Sequence, residues 1–455
     1  MWEFYTGKIV FITGGSGFVG TAVVYRLVTQ APVAHLYILC RGGLLGLIQK
    51  WREYLPPNIV KQMIDPRIVT VLEGDVLQPD VGLSMDDLAL VRERAHIIVH
   101  SASSIALLSS LSKLVMPIID ATGRLAHLAL ECKHLECFAF ISSAYANSNL
   151  FPQTDGTSEV VVQESLYPLY YSANIDERHK SLQQEWSEVR KTGSSAAFES
   201  HDFPWAYAYA KHLTERLLAF TFASSDKRLL ILRPSIIEPA QCFPYRGFCR
   251  PTSTPHIIAE AAGAISVAPA IRLASRFKNP NQDSTIDYVP VDVVVDRLLV
   301  HLALGTAGPV HAVAGDARMS FQDSWSRTFK HRKLPWSLRP KWLSKSWHSK
   351  DLHPIGRVYP IMGAGFKFVE DQSMIIWQQL SESERSKIHM FADKDKLYHD
   401  HEHMREDHLW ICIAHLIKRR KLTRRLVQLL YHSLASTESG EMGESDCHCM
   451  TSKSL

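Results

Sequence analysis

The 455-residue chain contains no uninterrupted apolar run near the ~20 residues that a bilayer-spanning helix requires. It has no CxxC pair: its eight cysteines (Cys40, Cys132, Cys137, Cys242, Cys249, Cys412, Cys447 and Cys449) are scattered along a long chain. That spacing argues against a disulfide framework and for reduced intracellular thiols. Strong charge of either sign is also missing. A formal charge of +4 gives no overall attraction to nucleic acid or membrane, so any basic site is local. The opening Met1-Trp2-Glu3-Phe4-Tyr5 lacks the basic and apolar regions of a secretory signal. Together these absences predict an intracellular protein, cytoplasmic or peripherally attached to an organelle membrane, with no transmembrane helix and no nucleic-acid partner. No internal repeat is visible. The only compact group of soft metal ligands, Cys447-His448-Cys449, sits in a polar tail without a fourth ligand, so no metal is expected.

A hydrophobic content of 46% is enough for a full core, and the length suits one large domain with an appendage. Short β-branched and apolar runs read as buried strands at Lys8 to Thr13, Leu36 to Cys40, Ile68 to Gly74, Ile97 to Ala102, Cys137 to Ser143 and Leu229 to Ser235. Helical patterns separate most of them. That alternation predicts an α/β fold, a Rossmann-type doubly wound parallel sheet. The rhythm breaks between about 150 and 204, read as an insertion over the active site, and stops after about 314. The expected organisation is a nucleotide-binding domain over 1–320, a mostly helical C-terminal domain over 325–434, and a disordered tail over 436–455.

Thr13-Gly14-Gly15-Ser16-Gly17-Phe18-Val19-Gly20 falls between the first strand and the first helix. Backbone N–H groups and the helix dipole there can hold a pyrophosphate, and glycine permits close approach. At the end of the second strand, the usual place for an acidic residue on the ribose hydroxyls, the chain has Cys40-Arg41-Gly42. Arg41 suits a 2'-phosphate and therefore NADPH; the alternative is an exposed surface arginine. Asp75 and Val76 close the third strand, where a carboxylate can accept from the adenine amino group. Ser101 and Ala102 close the fourth, beside the nicotinamide ribose.

Tyr207 and Lys211 stand four apart in a helical pattern, so both project from one face. A neighbouring ammonium is expected to lower the phenol pKa and make proton exchange feasible near neutrality. Ser142-Ser143-Ala144-Tyr145-Ala146-Asn147 follows the fifth strand, at the sheet edge where ligands bind, and offers a hydroxyl to a substrate oxygen. Ser143 is preferred over Ser142. Tyr209 has no lysine at the matching offset, so Tyr207 is the expected acid.

The glycine turn has the TGxxGFxG spacing of extended short-chain dehydrogenases. In order, the turn, the Ser-Ala-Tyr-Ala-Asn strand end and the Tyr-xxx-Lys helix resemble the fatty acyl-CoA reductases, also known as the male-sterility family. Leu36 to Arg41, Arg233-Pro234-Ser235, Asp287 to Val294 and Phe368 to Arg385 resemble further segments of that family, the last its helical C-terminal domain. The resemblance implies an NADPH-dependent reductase that turns long-chain acyl-CoA into fatty alcohol or aldehyde and free CoA. Tyr207 would donate the proton, Ser143 would hold the developing oxyanion, Lys211 would orient the ribose, and Pro234 and Ser235 would lie beside the cofactor. Two features depart from the family. A second basic residue beside Arg41 is absent, and Ile118 to Thr122 replaces an N-x-x-G-T motif that supports the catalytic lysine, leaving Asp120 as a substitute.

Rival readings share parts of this pattern. A reductase releasing a carrier-protein-bound polyketide or fatty acyl thioester has the same chemistry. A sugar or sterol dehydrogenase or epimerase shares the cofactor and Tyr-Lys motifs, and a nucleotide-binding regulatory protein would keep only the fold. Arg272, Arg276 and Lys278 are either contacts for coenzyme A phosphates or exposed loop charges. The basic run from Lys418 to Arg425, beside the apolar stretch Leu409 to Ile417, reads as a core-packing terminal helix, a peripheral membrane contact or a nuclear signal.

Overall fold

A computed structural model describes residues 1–153, 158–170, 174–330, 332, 337–395 and 402–420. Seven strands form the central sheet: β1 (Ile9–Thr13), β2 (His35–Cys40), β3 (Val69–Glu73), β4 (Ile97–His100), β5 (Cys137–Ile141), β6 (Arg228–Pro234) and β7 (Gly308–Ala312). Their order is β7-β6-β5-β4-β1-β2-β3, and every pairing is parallel. The strand order reverses between β1 and β4, which opens a crevice at the carboxyl ends of the strands. The sheet is buried on both faces, as the unbroken apolar runs require. Val10 and Ile12 join one core layer with Ile97 and Val99, while Phe11 and Ile98 join the opposite layer.

Three helices position the crevice. Helix α1 (Phe18–Gln30) follows the glycine turn, α2 (Ala206–Phe222) carries Tyr207 and Lys211, and α3 (Val291–Ala303) packs beside α1. The α1–α3 contact is fixed by a buried ion pair, Arg26 to Asp296, with hydrogen bonds of 2.7 and 2.9 Å.

The strand β7 was not anticipated. Its sequence, Gly-Pro-Val-His-Ala, carries two residues that ordinarily weaken a strand, and it forms on the sheet edge, where proline is tolerated.

Within the C-terminal region, where a mostly helical domain is expected over 325–434, the described residues also form two short strands. Arg339–Leu343 pairs in parallel with Ala270–Ala274, and Phe366–Phe368 pairs with Val160–Val162. Trp347, Leu352, Tyr359, Ile361, Phe366 and Phe368 are buried in the same apolar cluster as Ala208, Tyr209 and Leu213 of α2. Burial of these side chains packs the segment against α2. Helices within 337–395 are short; the long one, Glu402–Arg420, packs on Pro255–Ala264 through Leu409, Cys412 and Ile413. The stretch Leu409 to Ile417 is thereby packed, with Ile411 outward.

No helix among the described residues is long and apolar enough to cross a membrane. No disulfide joins any two of the six described cysteines. The side chains of the basic run Lys418 to Arg425, the tail over 436–455 and Cys447-His448-Cys449 lie outside what is described.

Candidate active site

The glycine turn is held by contacts that leave no room for side chains. Gly14 has φ +76°, and a Cβ there would sit 2.5 Å from the Ala102 nitrogen; a Cβ on Gly20 would sit 2.2 Å from the Gly14 oxygen. The ends of β1 and β4 are therefore clamped together, with Ser101 Oγ donating to the Thr13 carbonyl at 2.8 Å. Gly17 caps α1 without a side-chain hydrogen bond, and the first turn holds no acidic residue. Its leading N–H groups face an anion-accepting crevice, the arrangement a pyrophosphate requires.

Two adjoining cavities lie along the strand ends and share Gly17, Ser101 and Ser103. The first, about 370 Å³, is lined by Gly14, Ser16, Gly17, Arg41, Asp75, Val76, Ser101 and Ala102 of the anticipated set. The second, about 360 Å³, is lined by Gly17, Phe18, Val19, Gly20, Ser101, Ser143, Tyr207, Lys211, Pro234 and Ser235. Thr13 and Gly15 line neither. Thr13 is buried, with its hydroxyl 2.7 Å from His100 Nδ1, and the Gly15 carbonyl accepts from Trp51 Nε1 at 3.1 Å. Both support the turn from behind.

At the first cavity, Arg41 Nη1 lies 4.0 Å from Asp75 Oδ2, so the residue expected at the adenine also faces the guanidinium. Lys50 belongs to none of the sequence motifs. It lines the same cavity and donates to the Arg41 carbonyl at 3.4 Å. It places a second cation beside Arg41 from a different element, the helix Gly43–Trp51, where sequence adjacency gave no signal.

At the second cavity, the two serines separate by their partners. Ser142 Oγ donates to Glu215 Oε1 at 2.5 Å, and Glu215 is paired with the buried Arg233 at 2.6 Å. Ser143 Oγ accepts from the Tyr145 N–H at 3.2 Å and faces the cavity with its own proton to donate. Tyr209 is occupied elsewhere: its hydroxyl is 2.6 Å from both Ser195 Oγ and Glu185 Oε1. Tyr207 lines the cavity.

The electrostatics differ from expectation. Lys211 Nζ donates to the Ile141 carbonyl at 2.8 Å and lies 4.5 Å from the centre of the Phe140 ring, but 6.0 Å from the centre of the Tyr207 ring. Burial pushes Lys211 down to about 7, with Glu215 opposing, and burial also pushes the Tyr207 phenol above its usual range. Desolvation thus outweighs the expected lowering of the phenol by the ammonium. A phenol held neutral is a proton donor, which suits an acid role.

Ile118 lies in a π-helical turn, Val115–Asp120, with its carbonyl accepting from Thr122 Oγ1 at 2.5 Å. Asp120 does not replace the missing asparagine at Lys211: its carboxylate faces Arg190 at 3.7 Å. The insertion over 150–204 contributes no lining residue among those described. It packs behind α2 instead, through Glu185 to Arg216 at 2.6 Å and the Tyr209 contacts. Arg272 and Arg276 donate to the carbonyls of Asp351 and Pro152, and neither they nor Lys278 line the cavities.

Apolar lining comes from distant segments, Ile105 and Leu107, Trp205, Ile236 and Ile237, Tyr359 and Ile361, with Ser103, Ser142, Arg250, Thr254 and His256 as further polar members of the wall. Tyr359 and Ile361 bring the C-terminal region into the site.

An NAD-binding family model described as male sterility protein matches residues 12–298. Fatty acyl-CoA reductase 1 of Xenopus laevis is 27% identical over 307 residues, 65% of this chain and 55% of the relative. Fatty acyl-CoA reductase 1 of Homo sapiens is 27% identical over 304 residues, with the same shares of 65% and 55%. The chain spans about half the length of the curated relatives it matches. Among solved structures, the terminal R domain from the myxalamid PKS-NRPS biosynthetic pathway aligns with a TM-score of 0.55 at 14% identity, over 92% of each chain. An epimerase from Methanothermobacter thermautotrophicus aligns with a TM-score of 0.52 at 13% identity, over 91% of this chain and 96% of its own. Those two likenesses show the fold, a Rossmann-type parallel sheet with flanking helices. The family match runs from β1 through the glycine turn and the Tyr-xxx-Lys helix into α3, and on that ground the chain belongs to the male sterility protein family.

Proposed function

We propose that the protein is an oxidoreductase that reduces acyl thioesters, with NADPH as hydride donor and an acyl-CoA as substrate. The observation that carries this reading is the convergence of Ser143, Tyr207 and Lys211 on one largely apolar cavity that adjoins the dinucleotide crevice. Bound NADPH would supply the hydride to the thioester carbonyl. The residues fit that cofactor: uncapped N–H groups of α1 for the pyrophosphate, Arg41 and Lys50 for a 2'-phosphate, and no carboxylate at the end of β2.

Tyr207 holds its proton firmly and delivers it to the substrate oxygen as charge develops there. Ser143 donates a hydrogen bond to the same oxygen. Lys211, fixed to the Ile141 carbonyl, orients the ribose. Trp205, Tyr359 and the isoleucines exclude water and receive the acyl chain. Collapse of the hemithioacetal releases the thiol and an aldehyde, and reduction of that aldehyde at the same site gives the alcohol. The test is NADPH oxidation across a panel of acyl-CoA and acyl-carrier-protein thioesters, with product identification. Reduction of acyl-CoA supports the reading. Turnover of carrier-bound thioesters alone would assign the carrier instead.

A further inference from the structure

His256 is more than nine-tenths buried, yet it lines the second cavity amid isoleucines and aromatic rings. Behind it lies Glu238, equally buried, on the short strand Ile236–Glu238 that pairs with Tyr288–Pro290. His256 Nε2 is 2.8 Å from Glu238 Oε1. Thr254 and Tyr359 also line the cavity. None of these side chains has a part in proton delivery or oxyanion binding as described above.

A plain methylene chain offers such a group nothing. An apolar wall interrupted by a buried, polar imidazole with a carboxylate behind it penalises an alkyl chain and rewards one that supplies a hydrogen bond at that point. Sites built to hydrogen-bond a substrate discriminate strongly against analogues without the group, because the protein's own polar atoms are then left unmatched. The first cavity shows no such pair in an apolar wall, and its polar groups suit the dinucleotide.

We propose that the cavity selects acyl chains bearing a neutral hydrogen-bonding group, a hydroxyl or keto oxygen, which His256 receives with Glu238 holding the imidazole in place. This rests on the acyl thioester reading and narrows its substrate class. The amides of a pantetheine arm have the same chemistry, and the test separates the two sources.

The experiment compares chain-matched saturated, hydroxy and keto acyl thioesters, each as the CoA and the S-ethyl thioester. The wild type is set against the double variant H256L/E238M, which removes both polar groups together, and against E238Q, which keeps nearly native volume. The expected result is a kcat/KM preference of about 10- to 100-fold for the oxygenated chain, the range expected when a buried polar group is otherwise left without its hydrogen bond. It should appear with both leaving groups, collapse to within about twofold in H256L/E238M, and shrink in E238Q. No wild-type preference, equal losses on both chains, or a preference seen only with CoA would overturn the proposal. If no thioester is reduced, the thioester reading fails by itself. Calorimetric binding of a diol against the matched plain alcohol then decides this inference, a preference lost in the variant supporting it and equal affinity overturning it.

Discussion

Replacing Lys211 by methionine removes an ammonium that the fold buries next to the Phe140 ring and the Ile141 carbonyl. Burial lowers this group from 10.5 to about 7. At about 1.4 kcal/mol per pKa unit, the charged form in the folded state is disfavoured by up to about 5 kcal/mol. The substitution also loses the hydrogen bond to Ile141 and the contact with Phe140, about 1 kcal/mol each. K211M should therefore be more stable than the wild type by about 2–3 kcal/mol at pH 6, and on the proposed role of Lys211 it should also lose turnover. The sign follows from proton linkage. Below pH 7 both folded and unfolded lysine are protonated and the difference is constant. Between pH 7 and 10.5 the unfolded state binds more protons, so wild-type stability recovers by about 1.4 kcal/mol per pH unit and the advantage of K211M disappears. Urea denaturation of both proteins at pH 6, 8 and 9.5 measures this. A variant less stable than the wild type at pH 6, or a difference that does not change with pH, would refute the reasoning.

Tyr207→Phe should lower turnover by about 10²- to 10⁴-fold with NADPH affinity unchanged, and Ser143→Ala by about 10²- to 10³-fold, both read by steady-state kinetics beside cofactor titration. Ser142→Ala should cost far less turnover, because that hydroxyl is turned to Glu215. Glu215→Ala leaves Arg233 buried without its partner and should destabilise the protein by about 3–5 kcal/mol in chemical denaturation. Arg41 is largely exposed, so Arg41→Ala should weaken NADPH binding by no more than about tenfold and leave NADH binding unchanged. Equal effects on both cofactors would remove Arg41 from the 2'-phosphate.

The six strands with apolar, β-branched runs were legible because burial on both faces leaves a continuous hydrophobic signal, and the glycine turn because its sterics demand glycine at Gly14 and Gly20. Tyr207 and Lys211 could be paired from helical spacing alone. Their protonation could not: spacing brings the ammonium near the phenol, whereas desolvation depends on what packs around them, including Phe140 from the adjacent strand. Strand β7 and the pairings of 339–343 and 366–368 were hidden for a similar reason. Three- to five-residue segments rich in proline, lysine and aromatics become strands only when a partner edge lies beside them. Lys50, His256 and Tyr359 reach the site from segments remote in sequence from its motifs, so only the folded chain brings them there.

Reduction of an acyl thioester breaks a carbon–sulfur bond once hydride has been delivered, and no other reaction proposed for this fold does so. The direct measurement is free thiol released per NADPH oxidised when a long-chain acyl-CoA is the substrate. One thiol for each NADPH if the aldehyde is released, or one for every two if reduction continues to the alcohol, is the predicted result. NADPH oxidation without thiol release would contradict it.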